Sequence, residues 1–347
     1  MLRTRLTEEY GIELPFVSAG MAFIGMPPLV AAVSNAGGMG TLGASLVPPD
    51  DLRTLIHMTR SMTTRPFGVN FITPFIGEPH IAVCIEEKVA VVSFFWGDPP
   101  ETFIQRLHTA GIKVWMQVGS LAEARTAVRS GVDAVVAQGS EAGGHNRSTA
   151  TSLTLIPAVV DAIAPIPVIA AGGIADGRGV VAALALGAEA VWVGTRMVAS
   201  QEAYANEEYK KRIVAAEGAD TVRTTIFGPE WPHQPMRVIR NRVVEEWAGQ
   251  ETRVVYDPNP TTFIGQTRIG GQEVPLPKFS ALLPTPDTTG DWEEMCFTAG
   301  ECSGLINEVK PAADIVHEMM EEARQIIRYR LNHVLHSPDG QATSPNA

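Results

Sequence analysis

The sequence predicts an α/β chain folded as a (β/α)8 TIM barrel, with an extension lobe over the barrel mouth and a long C-terminal helix. Three observations point there. Eight short apolar runs occur between residues 15 and 200, runs of helical spacing separate them, and most of the helical runs end on glycine. Glycine past a helix C-terminus takes up the left-handed turn that other side chains resist. A unit of roughly 20–30 residues per strand and helix fits a closed parallel barrel better than an open doubly wound sheet.

The strand candidates are 15–19 (PFVSA), 40–44 (GTLGA), 67–72 (FGVNFI), 89–95 (VAVVSFF), 113–118 (KVWMQV), 133–138 (DAVVAQ), 167–171 (PVIAA) and 190–194 (AVWVG). They are continuously apolar, as strands are when helices bury both faces. Between them lie helical patterns such as DDLRTLIHMTRSM, LAEARTAVRSG and GRGVVAALALG. Residues 201–310 break the rhythm. The stretch 220–300 is rich in Pro, Gly, Thr and Trp, with helical patches at 202–217 and 237–249, and reads as an extension packed across the barrel mouth. Residues 311–335 form one amphipathic helix opening on proline, where the missing N–H costs nothing. The expected division is a barrel over 1–200 completed by the helix 311–335, with 201–310 as the lid region.

Composition narrows the function. The chain has 347 residues, of which 45% are hydrophobic and 19% charged, which is ample for a large core. Its 38 acidic and 27 basic residues give a net charge of −11, and no Lys/Arg stripe reverses this locally. Nucleic acid and anionic membrane are therefore unsuitable partners. Cys84, Cys296 and Cys302 have no metal spacing and read as reduced thiols. The N-terminal segment lacks an apolar signal core and no run is long enough to span a bilayer, so a cytoplasmic location is the expectation. The last residues, SPDGQATSPNA, read as a frayed polar tail.

In such a barrel, function sits on loops following the C-terminal strand ends. The seventh reads AAGGIADGRG, in which Ala171 precedes Gly172 and Gly173. The two glycines let backbone N–H groups approach an anion, and Asp176 is placed to cap a helix whose N-terminal end favours phosphate. The eighth loop reads WVGTRMVAS, where Gly194 and Thr195 offer donors to the same anion and Arg196 offers charge. Glycine loops after strands seven and eight are the recurrent phosphate cradle of these barrels.

The sixth strand runs into AQGSEAGGHNR. Gln138 sits at the strand end, Gly143 and Gly144 let the backbone pass close to a flat ring, and His145 follows. A neutral imidazole there can remove a carbon-bound proton near pH 7. Among the eight histidines, His145 alone sits in a glycine turn at a strand mouth. His57, His80, His108, His317, His333 and His336 fall on helical patterns, while His233 lies in the Pro-rich extension and is placed to overhang the pocket. Gly20 and Met21 end strand one, Asn70 strand three and Gln117 strand five, giving polar groups for the edge of a bound heterocycle. No HxH, HExxH or carboxylate cluster occupies these ends, so metal catalysis is not expected.

The segments QGSEAGGH at 138–145, PVIAAGGIADGRGVVAALALGAEAVWVGTRMVAS at 167–200, RPFGVNF at 65–71, LPFVSAGMAF and GLINEV together resemble the nitronate monooxygenase (2-nitropropane dioxygenase-like) family. The resemblance covers about residues 3–335. It implies FMN as cofactor, held at Gly20, Met21, Asn70, Gln117, Gln138, Gly143, Gly173, Gly194 and Thr195, with His145 as the catalytic histidine. It further implies oxidation of a nitronate by molecular oxygen to a carbonyl compound and nitrite. Asn146 and Arg147 follow His145 where the family has His-x-Gly, which alters the turn or brings a cation to the pocket.

The same framework also serves flavin reductases that take NADH or NADPH and reduce an enoyl thioester or a quinone. A barrel resembling inosine-monophosphate dehydrogenase would need a nucleophilic cysteine in the loop after strand six, and none lies there. A non-catalytic flavoprotein is a further alternative. The C-terminal helix can pack on the barrel or on a partner subunit, which leaves a homo-oligomer open.

Overall fold

A computed structural model describes residues 2–229 and 231–335. The polar tail and His336 lie outside the described residues. Eight parallel strands form the barrel: β1 (Phe16–Ser18), β2 (Gly40–Gly43), β3 (Phe67–Ile72), β4 (Val91–Phe95), β5 (Lys113–Val118), β6 (Ala134–Gln138), β7 (Val168–Ala171) and β8 (Ala190–Val193). Neighbours in sequence are neighbours in the sheet, and β8 returns to β1 with Phe16 opposite Val191. The ring closes between β1 and β2, where Ser18 N donates to Met39 O at 3.0 Å and Met39 N to Phe16 O at 2.8 Å.

Alternation along each strand splits the core in two. Phe16, Leu42, Val69 and Val135 pack outward under the helices. Val17, Val91, Trp115, Val136 and Ile169 fill the interior, as inward-facing residues do in a barrel without a pore. The helix Arg5–Tyr10 contributes to that interior: Trp115 Nε1 donates to the Tyr10 hydroxyl at 2.8 Å. Glu9 beside it pairs with Lys113 at 2.9 Å, at the start of β5. With that end filled, the mouth at the strands' C-terminal ends is the open one.

Immediately after β8 comes the short helix Thr195–Val198, too brief to cover the outside of the barrel, and the next helix, Glu207–Ala215, within the patch expected at 202–217, packs Tyr209 on Phe297 of the extension. The C-terminal helix Ala312–Gln325 takes the place outside the barrel, packing on the helices Pro27–Asn35 and Gly177–Ala185. Contact is close enough that a Cβ on Gly177 would lie 2.4 Å from Ala323 N. The helix then continues through a π-helical turn, Ile326–Leu331, to Leu335.

The extension has its own apolar cluster around Phe227, Met236, Val238, Val243 and Phe279. Two hairpins shape it: β9 (Thr221–Thr224) with β10 (Met236–Ile239), and β11 (Phe263–Ile269) with β12 (Gln272–Pro277). The expected helical patch at 237–249 is therefore corrected. Its helix is only Arg242–Glu246, and the chain before it is a strand whose edge pairs with the His145 loop. The second hairpin was signalled by Gly270–Gly271 between IGQTRI and QEV, a two-residue turn at φ 58° and 79°. Among the described residues no helix is long and apolar enough to cross a membrane.

Candidate active site

One cavity at the barrel mouth collects His145 and the residues expected to hold the cofactor. Gly20, Met21, Asn70, Gln117, Gln138, Gly143, Gly144, His145, Ala171, Gly172, Gly173, Gly194 and Thr195 all line it. The extension closes it from above with Trp231, Met236, Leu282, Thr298 and Cys302, none of which the strand pattern identified. Among the described lining residues there is no lysine, arginine or carboxylate.

The His145 loop is held from both sides. Gly144, at φ 75°, takes a conformation that a side chain resists. Gly144 and His145 then pair antiparallel with β10, with Met236 opposite His145 and Arg237 opposite Gly144. Arg237 Nε donates to Ser140 O at 3.1 Å and Arg223 to Asn146 O at 3.0 Å, so two extension arginines clamp loop carbonyls. Inside the loop, the buried Asn146 amide donates to Gly139 O at 2.9 Å and Ala142 O at 3.1 Å, and accepts from Ser148 N at 2.9 Å.

The imidazole of His145 forms a three-ring cluster with two indoles, which also touch each other at 4.9 Å. Its centroid is 4.9 Å from that of Trp231 and 5.7 Å from that of Trp96. Trp96 sits at φ 68° and its Nε1 donates to Gln234 Oε1 at 3.0 Å, so barrel and extension together orient it. His145 Nε2 is buried without a hydrogen-bond partner, as is Gln138 Oε1. The other end of the Gln138 amide donates to His145 O at 3.3 Å. Burial pushes the His145 pKa down from 6.5 to about 4, so the ring is neutral at physiological pH. Both atoms belong to residues that line the cavity, and buried polar groups left without a partner are the kind that a bound ligand can satisfy.

At the opposite side of the mouth, Gly172 and Gly173 turn at φ 102° and 74°. The N–H groups of Gly173, Gly194 and Thr195 carry no hydrogen bond within the described protein. A Cβ on Gly194 would meet only Ala19 Cβ at 3.6 Å and Met21 Sδ at 3.9 Å, so packing does not require glycine there. The absent side chain leaves space over free donors. The Thr195 hydroxyl accepts from Gly300 N at 2.9 Å, which ties the cradle to the extension.

Several expectations need correction. Arg196 brings no charge to the cradle: it is buried and donates to Ala199 O at 3.3 Å and Glu308 O at 2.9 Å. Asp176 does cap its helix, accepting from Arg178 N and Gly179 N, while Glu322 takes Gly177 N at 2.7 Å. Those helix donors are already used, so the free donors are the glycine-loop amides. Arg147 is not in the cavity but lies over the Trp96 ring, paired with Glu123 at 3.1 Å. His233 stacks on Tyr256 at 5.4 Å and does not line the cavity. Conversely, the extension carries Cys302 into the cavity, where burial pushes its thiol up to about 12. It is protonated at neutral pH and a poor nucleophile.

Comparison with known proteins follows the same lines. A family model described as nitronate monooxygenase matches residues 3–78 and 75–322. The chain belongs to the nitronate monooxygenase family. It is an oxidoreductase of that type. A protein of Staphylococcus aureus strain MSSA476, described as a probable nitronate monooxygenase, is 33% identical over 94% of this chain and 99% of its own length. Among solved structures, FabK from Thermotoga maritima is 38% identical with a TM-score of 0.77, covering 96% of this chain and all of its own. A nitroalkane oxidase from Streptomyces ansochromogenes is 28% identical with a TM-score of 0.75, covering 93% and 99%.

Proposed function

We propose that this member of the nitronate monooxygenase family binds FMN at the barrel mouth and oxidises alkyl nitronates with molecular oxygen, His145 acting as the base. The observation that carries the reading is that His145, whose buried Nε2 has no hydrogen-bond partner, lines the same cavity as the glycine cradle. The phosphate would take the free N–H groups of Gly173, Gly194 and Thr195, in the space that the absent Gly194 side chain leaves. Asn70, Gln117 and Gln138, which line the cavity from three strands, would meet the polar edge of the ring, although Asn70 lies within β3 and not at its end as expected. FMN held there would accept electrons from the nitronate and pass them to oxygen, giving a carbonyl compound and nitrite.

The protein's own groups do the rest. Nε2 of His145 takes the proton from the carbon bearing the nitro group of a neutral nitroalkane, or stands beside the anion when the substrate arrives ionised. The charge it gains would lie within about 6 Å of the Trp96 and Trp231 ring centroids, the range at which an indole face attracts a cation. Trp231 and Leu282 keep bulk water from the cavity, which strengthens each polar contact inside it.

The test is nitrite release and oxygen uptake with ethyl nitronate and with neutral nitroethane, for wild type and His145→Ala. The expected result is turnover of both by wild type, with a larger loss on the neutral compound in the variant. Anaerobic mixing with NADH or NADPH is the control. Rapid bleaching of the yellow protein by either, with no nitrite from the nitronate, would overturn the reading in favour of a nicotinamide-dependent reductase.

A further inference from the structure

The loops leaving β1 and β2 contain two strained residues that the site above does not use. Phe23 and Leu46 have φ of 61° and 66°, a region where a bulky side chain is an outlier and which persists only when the surroundings impose it. Both residues line two cavities at once. The first is the His145 cavity. The second, of about 450 Å³, lies between the helix Pro49–Met62 and the β11–β12 hairpin. Leu282 and Leu283 also line both, so the two spaces adjoin along four apolar side chains. Leu46 is 43% exposed although it is leucine, because its neighbour on that side is the cavity itself.

The second cavity's chemistry is one-sided. Its walls are Met26, Val47, Pro48, Leu55 and Ile269 besides the shared four. Its polar members are mostly spoken for: the Tyr204 hydroxyl donates to Asp287 at 2.6 Å, and Thr267 and Thr285 bond with Thr288. The charges left, Asp51 and Arg268, are exposed and opposite in sign, so they select no ion. What remains on offer is hydrocarbon surface of a size within the range of small-molecule sites, roughly 300–1,000 Å³. Water against such a wall is displaced favourably by a hydrocarbon chain.

We infer that the second cavity is the subsite for the substrate's hydrocarbon tail, so that the preferred substrate carries an alkyl chain running from His145 past Phe23 and Leu46 to the β11–β12 hairpin. This rests on the proposed reaction, since it takes the nitronate end to lie at His145. The strained pair then sets the junction, holding two large side chains at the rim between head and tail sites.

The test is kcat/KM for a series of primary alkyl nitronates from ethyl to octyl, in wild type, Leu55→Trp and Ile269→Trp. These two positions face the second cavity from opposite sides and do not line the first. Wild type should gain about fourfold per methylene once the chain passes the junction. Both tryptophan variants should lose that gain, so their octyl-to-ethyl ratio falls by at least tenfold. A wild-type profile that is flat with chain length, or a gain that persists in both variants, overturns the inference. Calorimetric binding of 1-nitrooctane against nitroethane reads the tail without turnover. Tighter octyl binding that both variants abolish supports the subsite even in a protein that oxidises neither compound, whereas that lack of oxidation overturns the proposed function. Equal binding of the two compounds refutes the subsite alone.

Discussion

His145 gives a prediction that needs no substrate. Buried against Trp96 and Trp231, it resists protonation until about pH 4, whereas the same side chain in the unfolded chain takes a proton near 6.5. Between those values the unfolded state holds more protons than the folded one, so folding stability rises with pH across that window. The contribution is fully present above about 6.5 and is lost as pH falls to about 4. The difference corresponds to about 3 kcal/mol, a large share of the 5–15 kcal/mol that holds most domains folded. Urea unfolding of wild type and His145→Gln at half-unit steps from pH 4 to pH 8 measures it. Other groups titrate in both proteins and cancel, and any fixed offset from the substitution leaves the slope untouched. Wild type should lose roughly 3 kcal/mol more than the variant between pH 7 and pH 4. Parallel curves would refute the picture of a buried neutral imidazole, as would a wild-type curve that gains stability on acidification.

Two further predictions separate packing from ligand binding. Gly194→Ala puts a methyl only into ordinary contact with Ala19 and Met21, so the melting temperature of the flavin-free protein should hold while flavin affinity falls at least about tenfold, the worth of one hydrogen bond to a charged group. Gly143→Ala would instead press a methyl to within 2.5 Å of the Ala299–Gly300 backbone. It should lower stability by about 1–3 kcal/mol, measured by thermal unfolding, whether or not flavin is present. Asn146→Ala removes three buried hydrogen bonds from the loop between β6 and the helix Ser152–Ile163, and should cost about 3 kcal/mol in denaturant titration together with a fall in kcat/KM. Unchanged stability would show that the loop does not depend on that amide.

The barrel strands were legible because burial on both faces leaves continuous apolar runs, and most observed boundaries fall within a residue or two of those runs. The mouth residues followed from strand order alone, because each strand's last residues face the same side. What escaped depends on partners distant in sequence. Nothing local in MRVI says that it pairs with the His145 turn; that edge exists only once the turn is in place. Arg147 and Arg196 looked like pocket cations because sequence gives position on the chain and not the direction of a long side chain. Trp231, Leu282 and Cys302 reach the cavity from irregular chain, which carries no periodicity. The Gly270–Gly271 turn was the one clear signal passed over in that region.

The antiparallel pairing of Gly144–His145 with β10 has a consequence for how the protein comes into being. The loop is complete long before its clamp, since Arg223, which holds Asn146, lies 77 residues further on. At synthesis rates of about 5–20 residues per second, the loop waits several seconds for its partner. Through that interval Gly144 and His145 present an unpaired edge, the kind of surface that recruits stray strands. Pairing with β10 and the arginine clamp end that exposure, while Thr298, Gly300 and Cys302, still later in the chain, finish the cavity.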